Sequence, residues 1–314
     1  MQRYLLRRLL LVPVVLLMLS ILVFAGIRAI PGDVVDIRLE TSYTPERAEQ
    51  LRDVLGLNKP IWQAYPEWLL DAVQGDLGKS LVSDRSVSQE LRRRAPVTIE
   101  LVVLSLIIQV ILGVPLGVLA AVYRGSILDH GSRLVSIIFL AVPNFWIATL
   151  VLTFPSIWWG WAPPFGYTPF QDDPLRNLEQ FIIPAAIIGL YLTAIILRLT
   201  RAELLEVLQQ DYIRTARAKG LSNSATVLRH AMRNAMVSVV TVIGLALAGA
   251  IAGAVIIEQI FALPGLGTYG IEAINRRDYT AVQGFTLIVG IGYVLINLLV
   301  DVTNSYLNPR IRYT

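Results

Sequence analysis

The chain has 314 residues, of which 55% are hydrophobic and 16% are charged, and its formal net charge is +4. Soluble globular domains carry about 25% charged residues, so this composition excludes an ordinary soluble protein and indicates one that lies in a lipid bilayer. The chain contains no cysteine, which excludes disulfides and thiolate metal sites.

Six apolar segments are long enough to cross a bilayer as helices, which takes about 20 residues each. The charge-free runs are 9–27, 101–123, 180–197, 234–257 and 279–300, with a sixth span inside 134–170. That sixth segment ends near Trp158, Trp159 and Trp161, which are typical of a membrane interface. The sequence therefore predicts an all-α integral membrane protein with six transmembrane helices in one domain, 1–314.

The short loops indicate the orientation of these spans. The N-terminus, the C-terminus and the segments 123–133 and 198–233 together carry fourteen Lys and Arg, whereas the opposite short loops carry only Arg176, Arg276 and Arg277. Cytoplasmic loops are enriched in Lys and Arg, so both termini are predicted to be cytoplasmic. The positive net charge reflects this placement and does not indicate nucleic-acid binding. The first span has a longer apolar core than a signal peptide and is interpreted as a retained anchor.

A polar segment, 31–95, lies between the first two spans and contains eleven acidic residues. Thr44 followed by Pro45 is a pattern typical of a helix start, and Gly56 is placed to end that helix. A second helix, at the membrane surface, is indicated by Trp62, Tyr65 and Trp68. We therefore predict an external helical insertion.

Glycines and prolines mark special positions inside the spans. Gly113 and Gly117, like Gly249 and Gly253, lie four residues apart, a spacing that permits close approach of helix backbones. Packing within this subunit and packing at a dimer interface are both consistent with it. Pro115 and Pro143 are predicted to kink their helices.

No catalytic motif stands out. The segment 75–80, Gly-Asp-Leu-Gly-Lys-Ser, resembles the end of a phosphate-binding loop, but Val73 occupies the position of the first glycine and the segment is predicted to be external. An external turn is the better interpretation. The two histidines, His130 and His230, have no neighbouring His or Cys, so the chain is interpreted as a non-enzyme.

Two acidic residues border the spans, where charges are costly unless they pair or face water. Glu100 lies early in the second span and Glu258 late in the fifth, so both are placed toward the external side. Either they line a hydrated translocation path, or they are interfacial groups paired with arginines such as Arg94 or Arg28. Asn144, directly after Pro143, is a third candidate for the path.

The segment 200–235 follows the fourth span. From Ala202 to Ala218 it contains neither Gly nor Pro and is rich in helix formers, so one continuous helix is predicted there. Gly220 is expected to stop this helix, and Ser222 or Asn223 to cap the next. An ordered, basic segment of this length between two spans indicates a docking surface for a cytoplasmic partner.

This segment also resembles a known motif. Arg214-Thr-Ala-Arg-Ala-Lys-Gly220 is similar to the EAA-x-x-x-G signature of the coupling loop in ATP-binding-cassette importer permeases, with Arg214 and Thr215 in place of Glu and Ala. A proline found later in the general pattern is absent, since His230-Ala-Met-Arg233 occupies that stretch. Further matches in order resemble the first permease of the dipeptide, oligopeptide and nickel importer family: 7–10, 28–33, 55–57, 75–80, 143–146, 263–267 and 308–312.

The resemblance implies a type I importer permease architecture in a bacterial inner membrane. Its implied partners are a second homologous permease, forming a heterodimer, two cytoplasmic ATPases and an external solute-binding protein that docks in part on 31–95. No cofactor is expected in this chain, because ATP and Mg would be bound by the ATPases. The residues that the resemblance assigns to ATPase coupling are Asp211, Arg214, Thr215, Ala216, Arg217, Lys219 and Gly220.

Peptides are the first expectation for the transported solute. Nickel chelates, glutathione and oligosaccharides remain alternatives, because nothing in the sequence ranks them. A secondary transporter driven by an ion gradient is a rival class, but it would favour titratable residues near the midplane and an inverted repeat, and neither is evident.

Overall fold

The computed structural model describes residues 2–29, 32–39 and 43–307. Within these ranges the regular structure is helical, apart from an isolated bridge between Lys79 and Ser86. The α-helices are α1 (Gln2–Ala29), α2 (Val34–Arg38), α3 (Pro45–Val54), α4 (Ile61–Val73), α5 (Val87–Val122), α6 (Ile127–Ala141), α7 (Asn144–Trp159), α8 (Pro174–Val207), α9 (Asp211–Ala218), α10 (Asn223–Ala225), α11 (Met232–Ile260), α12 (Leu266–Asn275) and α13 (Tyr279–Leu307). A π-helical turn, Thr226–Ala231, joins α10 to α11. Pro31 and the motif 308–312 lie outside the described residues.

Five helices are long and apolar enough to cross a membrane, namely α1, α5, α8, α13 and the continuous stretch that ends in α11. They coincide with the five charge-free runs of the sequence. The sixth predicted span is α6 and α7, which meet at an angle of 92°. The count is therefore six only if this bent pair makes one crossing.

Pro143 produces the bend, which is sharper than the predicted kink. Val142 has an extended backbone, with φ −95° and ψ 122°, because the ring of a following proline disfavours the helical conformation of the residue before it. Pro143 is itself extended and is the N-cap residue of α7. The chain thus ends one helix and starts another instead of kinking a continuous one.

The described chain forms two compact units, and the prediction of one transmembrane domain, 1–314, stays a prediction. We name the units by their order along the sequence: the central unit is Ile99–Leu263 with 296–307, and the flanking unit is Gln2–Thr98 with Pro264–Leu295. In the central unit α8 is largely buried and packs against α6, α7 and α11.

The glycine pair of α5 permits close packing inside the central unit. A β-carbon added to Gly113 would lie 3.0 Å from the side chain of Ile196, and one added to Gly117 would lie 2.7 Å from Cβ of Thr200 and 2.8 Å from the carbonyl oxygen of Leu197. Helices approach this closely only where side chains are absent. Of the two interpretations of this pair, packing within the subunit is the one that the structure supports.

The flanking unit contains the helical insertion. The side chain of Thr44 accepts a hydrogen bond from the backbone N–H of Arg47 at 3.3 Å and so caps α3, and Gly56 follows this helix with φ +69°. Both predictions are confirmed. Two of the three aromatic rings of α4 pack inward, since Tyr65 and Trp68 contact Phe24 of α1 at centroid distances of 5.3 and 5.8 Å, whereas Trp62 is exposed.

Candidate functional site

The predicted coupling segment is interrupted where a continuous helix was expected. α8 ends at Val207 and α9 begins at Asp211, so the prediction of one helix from Ala202 to Ala218 is wrong. Gln210 is extended, with φ −70° and ψ 147°, and Asp211 places a negative charge in the first turn of α9, where the helix dipole favours it. Helix propensity could not reveal this break, because the residues around it are ordinary helix formers.

Packing explains the break. The break turns α9 so that the fully buried side chain of Ile213 joins an apolar group, which we call the loop cluster. This cluster consists of Ala121, Leu204, Ile213, Val227, Ala231 and Ala235. A helix that continued straight from α8 would carry Ile213 away from these residues. Burying such a side chain is worth about 1.5–3 kcal/mol, which exceeds the small cost of ending a helix between polar residues.

The faces of α9 divide the predicted coupling residues into two groups. Ala216 is 7% exposed and lies on the inward face with Ile213. The expectation that the Ala216 side chain contacts a partner is therefore corrected, because its surface is covered by this chain. The predicted coupling residues on the outward face are Asp211, Arg214, Thr215 and Arg217, with Lys219 and Gly220 just beyond the helix.

Gly220 makes the turn that follows α9. Its φ is +82°, and its backbone N–H donates to the carbonyl of Arg217 at 2.9 Å. Glycine adopts this left-handed conformation without steric cost. An added β-carbon would meet no described heavy atom within 4 Å, so the space beside this position is open.

The stretch that lacks the expected proline, 230–233, spans the end of the π-helical turn, Thr226–Ala231, and the start of α11. Ser222 caps the preceding α10 by accepting a hydrogen bond from the N–H of Ala225 at 3.3 Å. The π-turn then presents Val227 and Ala231 to the loop cluster. Such single turns are frequent at functional sites, and here the turn connects α10 to the span α11 without a break.

The central unit also contains a cavity of about 670 Å³. The end of α6, the start of α7, and parts of α8 and α11 form its wall, which is mainly apolar. Asn144 and Tyr191 contribute polar groups, and Gly249 and Gly253 contribute bare backbone. No described heavy atom lies within 4 Å of a β-carbon added to either glycine, so the described residues show no close packing against this pair.

Asn144 lies in the wall of this cavity. Its Oδ1 atom is buried and has no hydrogen-bond partner among the described residues. Leaving such an oxygen unpaired costs about 1–3 kcal/mol. Asn144 follows directly from the bend at Pro143, which aims the start of α7 at the cavity.

The other two pathway candidates lie elsewhere. Glu100 is half-buried, accepts a hydrogen bond from the side chain of Asn177, and is close to Tyr167, whose pKa is raised first by burial and then by the Glu100 charge. Glu258 is fully buried, and of the two alternatives given for it, a position on a hydrated path does not fit this burial. Neither residue lines the cavity with Asn144.

A buried ion pair was missed by the sequence analysis. Asp129 in α6 and Arg201 in α8 are joined by two hydrogen bonds, of 2.6 and 2.9 Å, and Asp129 is only 1% exposed. The position of Ser126, which caps α6 by accepting from the N–H of Asp129 at 3.4 Å, marks Asp129 as a first-turn acid. No local pattern identifies its partner 72 residues later.

The segment 75–80 is a turn in the flanking unit. Gly75 and Gly78 have φ of +88° and +80°, and Ser80 donates its hydroxyl to Asp278 at 2.5 Å. A phosphate-binding loop would instead lead into a helix N-terminus. The interpretation as a structural turn agrees with this geometry.

Substituting Lys79→Ala is therefore expected to leave ATP hydrolysis unchanged in a complex with the ATPases that the sequence resemblance implies, because Lys79 belongs to a structural turn in which its backbone pairs with Ser86. The measurement is the hydrolysis rate of the purified complex. Ser80→Ala is the matched variant, which should lower the thermal stability because it leaves the Asp278 carboxylate without its hydroxyl donor. A loss of hydrolysis for Lys79→Ala with normal stability would contradict this interpretation.

Comparison with known proteins agrees with these features. The sequence model of one protein family, the binding-protein-dependent transport system inner membrane component, matches residues 113–313. The family model of the N-terminal region of such components matches residues 1–102. A putative peptide transport system permease protein of Brucella abortus is 42% identical over 299 residues, covering 95% of each chain. A dipeptide transport system permease protein of Escherichia coli is 41% identical over 337 residues, covering 100% of this chain and 99% of the relative.

The fold has a solved counterpart in the MetNI methionine ABC transporter. In two inward-facing structures, chains with 19% and 21% identity give TM-scores of 0.53 and 0.55, covering 69% and 70% of this chain and 96% and 97% of the solved ones. Over about 70% of its length, this chain therefore shares the fold of a chain of that transporter. Together with the sequence matches over both parts of the chain, this places the protein in the family of binding-protein-dependent transport system inner membrane components, as a multi-pass permease subunit.

Proposed function

We propose that the chain forms half of the translocation pathway of an ABC importer for di- or oligopeptides. In this proposal a second, homologous permease supplies the other half, two cytoplasmic ATPases bind ATP and Mg, and an external binding protein delivers the solute. The observation that carries the proposal is the outward-facing, cationic side of α9, which follows one membrane span and precedes another in the unit that also contains the cavity.

The geometry of the coupling segment supports the assignment of energy input to α9. Its inner face is fixed by Ile213 and Ala216, so a force applied to its outer face is transmitted to the loop cluster. That cluster includes Leu204 of α8 and Ala235 of α11, and both helices line the cavity. Movement of α9 is thereby linked to the wall of the proposed path.

The cavity supports a peptide as the solute. Its wall is mostly apolar, which suits amino-acid side chains, and Asn144 and Tyr191 add polar side chains to it, of kinds that can form hydrogen bonds with peptide amides. The named functions of the two relatives described above favour peptides over other solutes. The insertion, 31–95, is proposed as part of the dock for the binding protein, and 200–235 as the coupling loop.

Reconstitution tests this function directly. The complex, purified with its co-purifying ATPase and binding protein, should take up labelled di- and tripeptides into proteoliposomes when ATP is enclosed with the ATPases. Nickel chelates, glutathione and oligosaccharides serve as competing solutes. Uptake of one of these without peptide uptake would overturn the peptide assignment and leave the importer assignment in place.

The orientation proposal has its own test. A reporter fused after Arg310 should report a cytoplasmic location, and one inserted near Asp76 an external one. The reason is that most Lys and Arg of the short loops lie on the same side of the membrane as the C-terminus, and such loops are cytoplasmic. Activity of paired periplasmic and cytoplasmic reporters gives the measurement. Finding both positions on one side of the membrane would rule out the proposed topology.

A further inference from the structure

Asp129 and Arg201 form a buried, geometrically complete ion pair between α6 and α8. The Arg201 Nε donates to Asp129 Oδ1 at 2.6 Å and Nη2 donates to Oδ2 at 2.9 Å. The backbone N–H of Gly125 adds a third bond to Oδ2 at 2.9 Å. The Asp129 side chain is 2% exposed and that of Arg201 is 20% exposed, so neither solvent nor salt screens the pair strongly.

The position of the pair is informative. Arg201 lies within the last two turns of α8, just before the break that leads into α9. From Asp129, α6 continues without interruption to Ala141, a distance of about 18 Å at 1.5 Å per residue, and ends at the bend that lines the cavity. α8 reaches the same cavity through Tyr191 and Leu192. The pair thus lies between the proposed coupling segment and two of the walls of the cavity.

Stability alone explains such a pair poorly. Taking two charges out of water offsets most of their attraction, and buried ion pairs can often be replaced by apolar residues without loss of stability. What a bidentate arginine–carboxylate contact adds is a fixed relative orientation of the two groups. A fixed orientation between α6 and α8 is of use where one of them is displaced and the other has to follow.

We propose that Asp129 and Arg201 are a positioning pair that makes α6 follow α8 when the coupling segment moves, so that the bend at Val142–Pro143 changes the cavity with each ATP cycle. The proposal rests on the function proposed above and adds the route by which α9 acts on the part of the cavity wall formed by the end of α6 and the start of α7. Arg133, whose Nε is 3.8 Å from Oδ1 and whose side chain is 47% exposed, is peripheral to this contact.

The test uses the double variant Asp129→Ala with Arg201→Ala in the purified complex. Removing both charges leaves no unpaired charge in the interior, so assembly with the ATPases is preserved, and ATP hydrolysis continues. Solute uptake per ATP hydrolysed is expected to fall about tenfold, within the usual range of coupling between sites. Arg133→Gln is the matched control and should behave as the unmodified chain.

A second measurement does not depend on the identity of the solute. Because the chain has no cysteine, Ala141→Cys places a single thiol on this subunit, at the end of α6 and in the cavity wall. In the otherwise unmodified chain, trapping the ATPases in their ATP-bound state should change the labelling rate at position 141. In the double variant that change should disappear.

The two measurements separate the possible failures. Absence of peptide uptake by the unmodified complex, with an ATP-dependent change at position 141, would overturn the peptide function and leave the positioning pair intact. Unchanged uptake per ATP in the double variant, or a retained ATP-dependent change in labelling, would overturn the pair. The pair would also be overturned if the unmodified chain showed no ATP-dependent change in labelling, or if the only defect of the double variant were a loss of ATPase co-purification.

Discussion

Replacing Gly220 with valine is expected to leave the permease in the membrane and to abolish most ATP-driven uptake. The backbone at this position has φ +82°, and holding a non-glycine residue there costs about 1–3 kcal/mol, with β-branched side chains the least tolerant. That strain is too small to unfold a typical protein, but it falls on the exposed turn next to α9. The measurements are membrane yield, co-purification of the ATPase and uptake into proteoliposomes.

Two controls separate strain from contact with a partner. Gly220→Asn keeps a residue that tolerates the left-handed conformation while adding a side chain, so it should remain defective if the partner needs the open space. Gly75→Val imposes a similar strain at φ +88° in the flanking unit, where no heavy atom obstructs the side chain either. It should retain uptake. Normal uptake and ATPase attachment for Gly220→Val would mean that the segment is only a connector.

Filling the cavity is expected to have an equally large effect. Gly249→Phe and Gly253→Phe place aromatic rings in a space of about 670 Å³, and neither meets a described heavy atom within 4 Å at its β-carbon. Stability should be unchanged or improved, since glycine inside a helix is about 1 kcal/mol less favourable than alanine. Uptake should nevertheless be lost, while basal ATP hydrolysis continues because the coupling segment is untouched.

Gly26→Phe is the matched control for cavity filling. Gly26 also lies in a membrane-spanning helix with nothing within 4 Å of an added β-carbon, but it belongs to α1 and not to the cavity wall. Its substitution should leave uptake normal. If Gly249→Phe and Gly253→Phe transport as well as Gly26→Phe, the solute does not pass through this cavity.

The sequence predicted the elements that depend on local chemistry. Apolar runs located the spans, Thr44 and Gly56 marked the ends of α3, and the turn at Gly220 followed from glycine between two helix-forming stretches. Features that depend on distant residues were out of reach. The break before Asp211 is decided by the burial of Ile213 against Leu204 and Val227, and no propensity records that contact.

In the candidate site, too, features set by the local sequence could be predicted and features set by distant contacts could not. The outward basic residues of α9 could be named from the resemblance, whereas the inward direction of Ala216 could not. Pro143 signalled a disturbance but not its 92° size, because the angle depends on how α7 packs against α8 and α11. The Asp129–Arg201 pair and the burial of Glu258 likewise required the folded chain.

The contact between α5 and α8 has a mechanical consequence. Besides Gly113 and Gly117 on α5, Gly189 on α8 is also closely covered, since a β-carbon there would lie 2.9 Å from the carbonyl oxygen of Ser105. Two backbones fitted into each other in this way resist gradual sliding and can change register only by a jump of about one helical turn, 5.4 Å. α5 and α8 are therefore expected to travel as one rigid pair, and the opening and closing of the path to occur where the chain bends between α6 and α7 and where α11 leaves space beside its glycines.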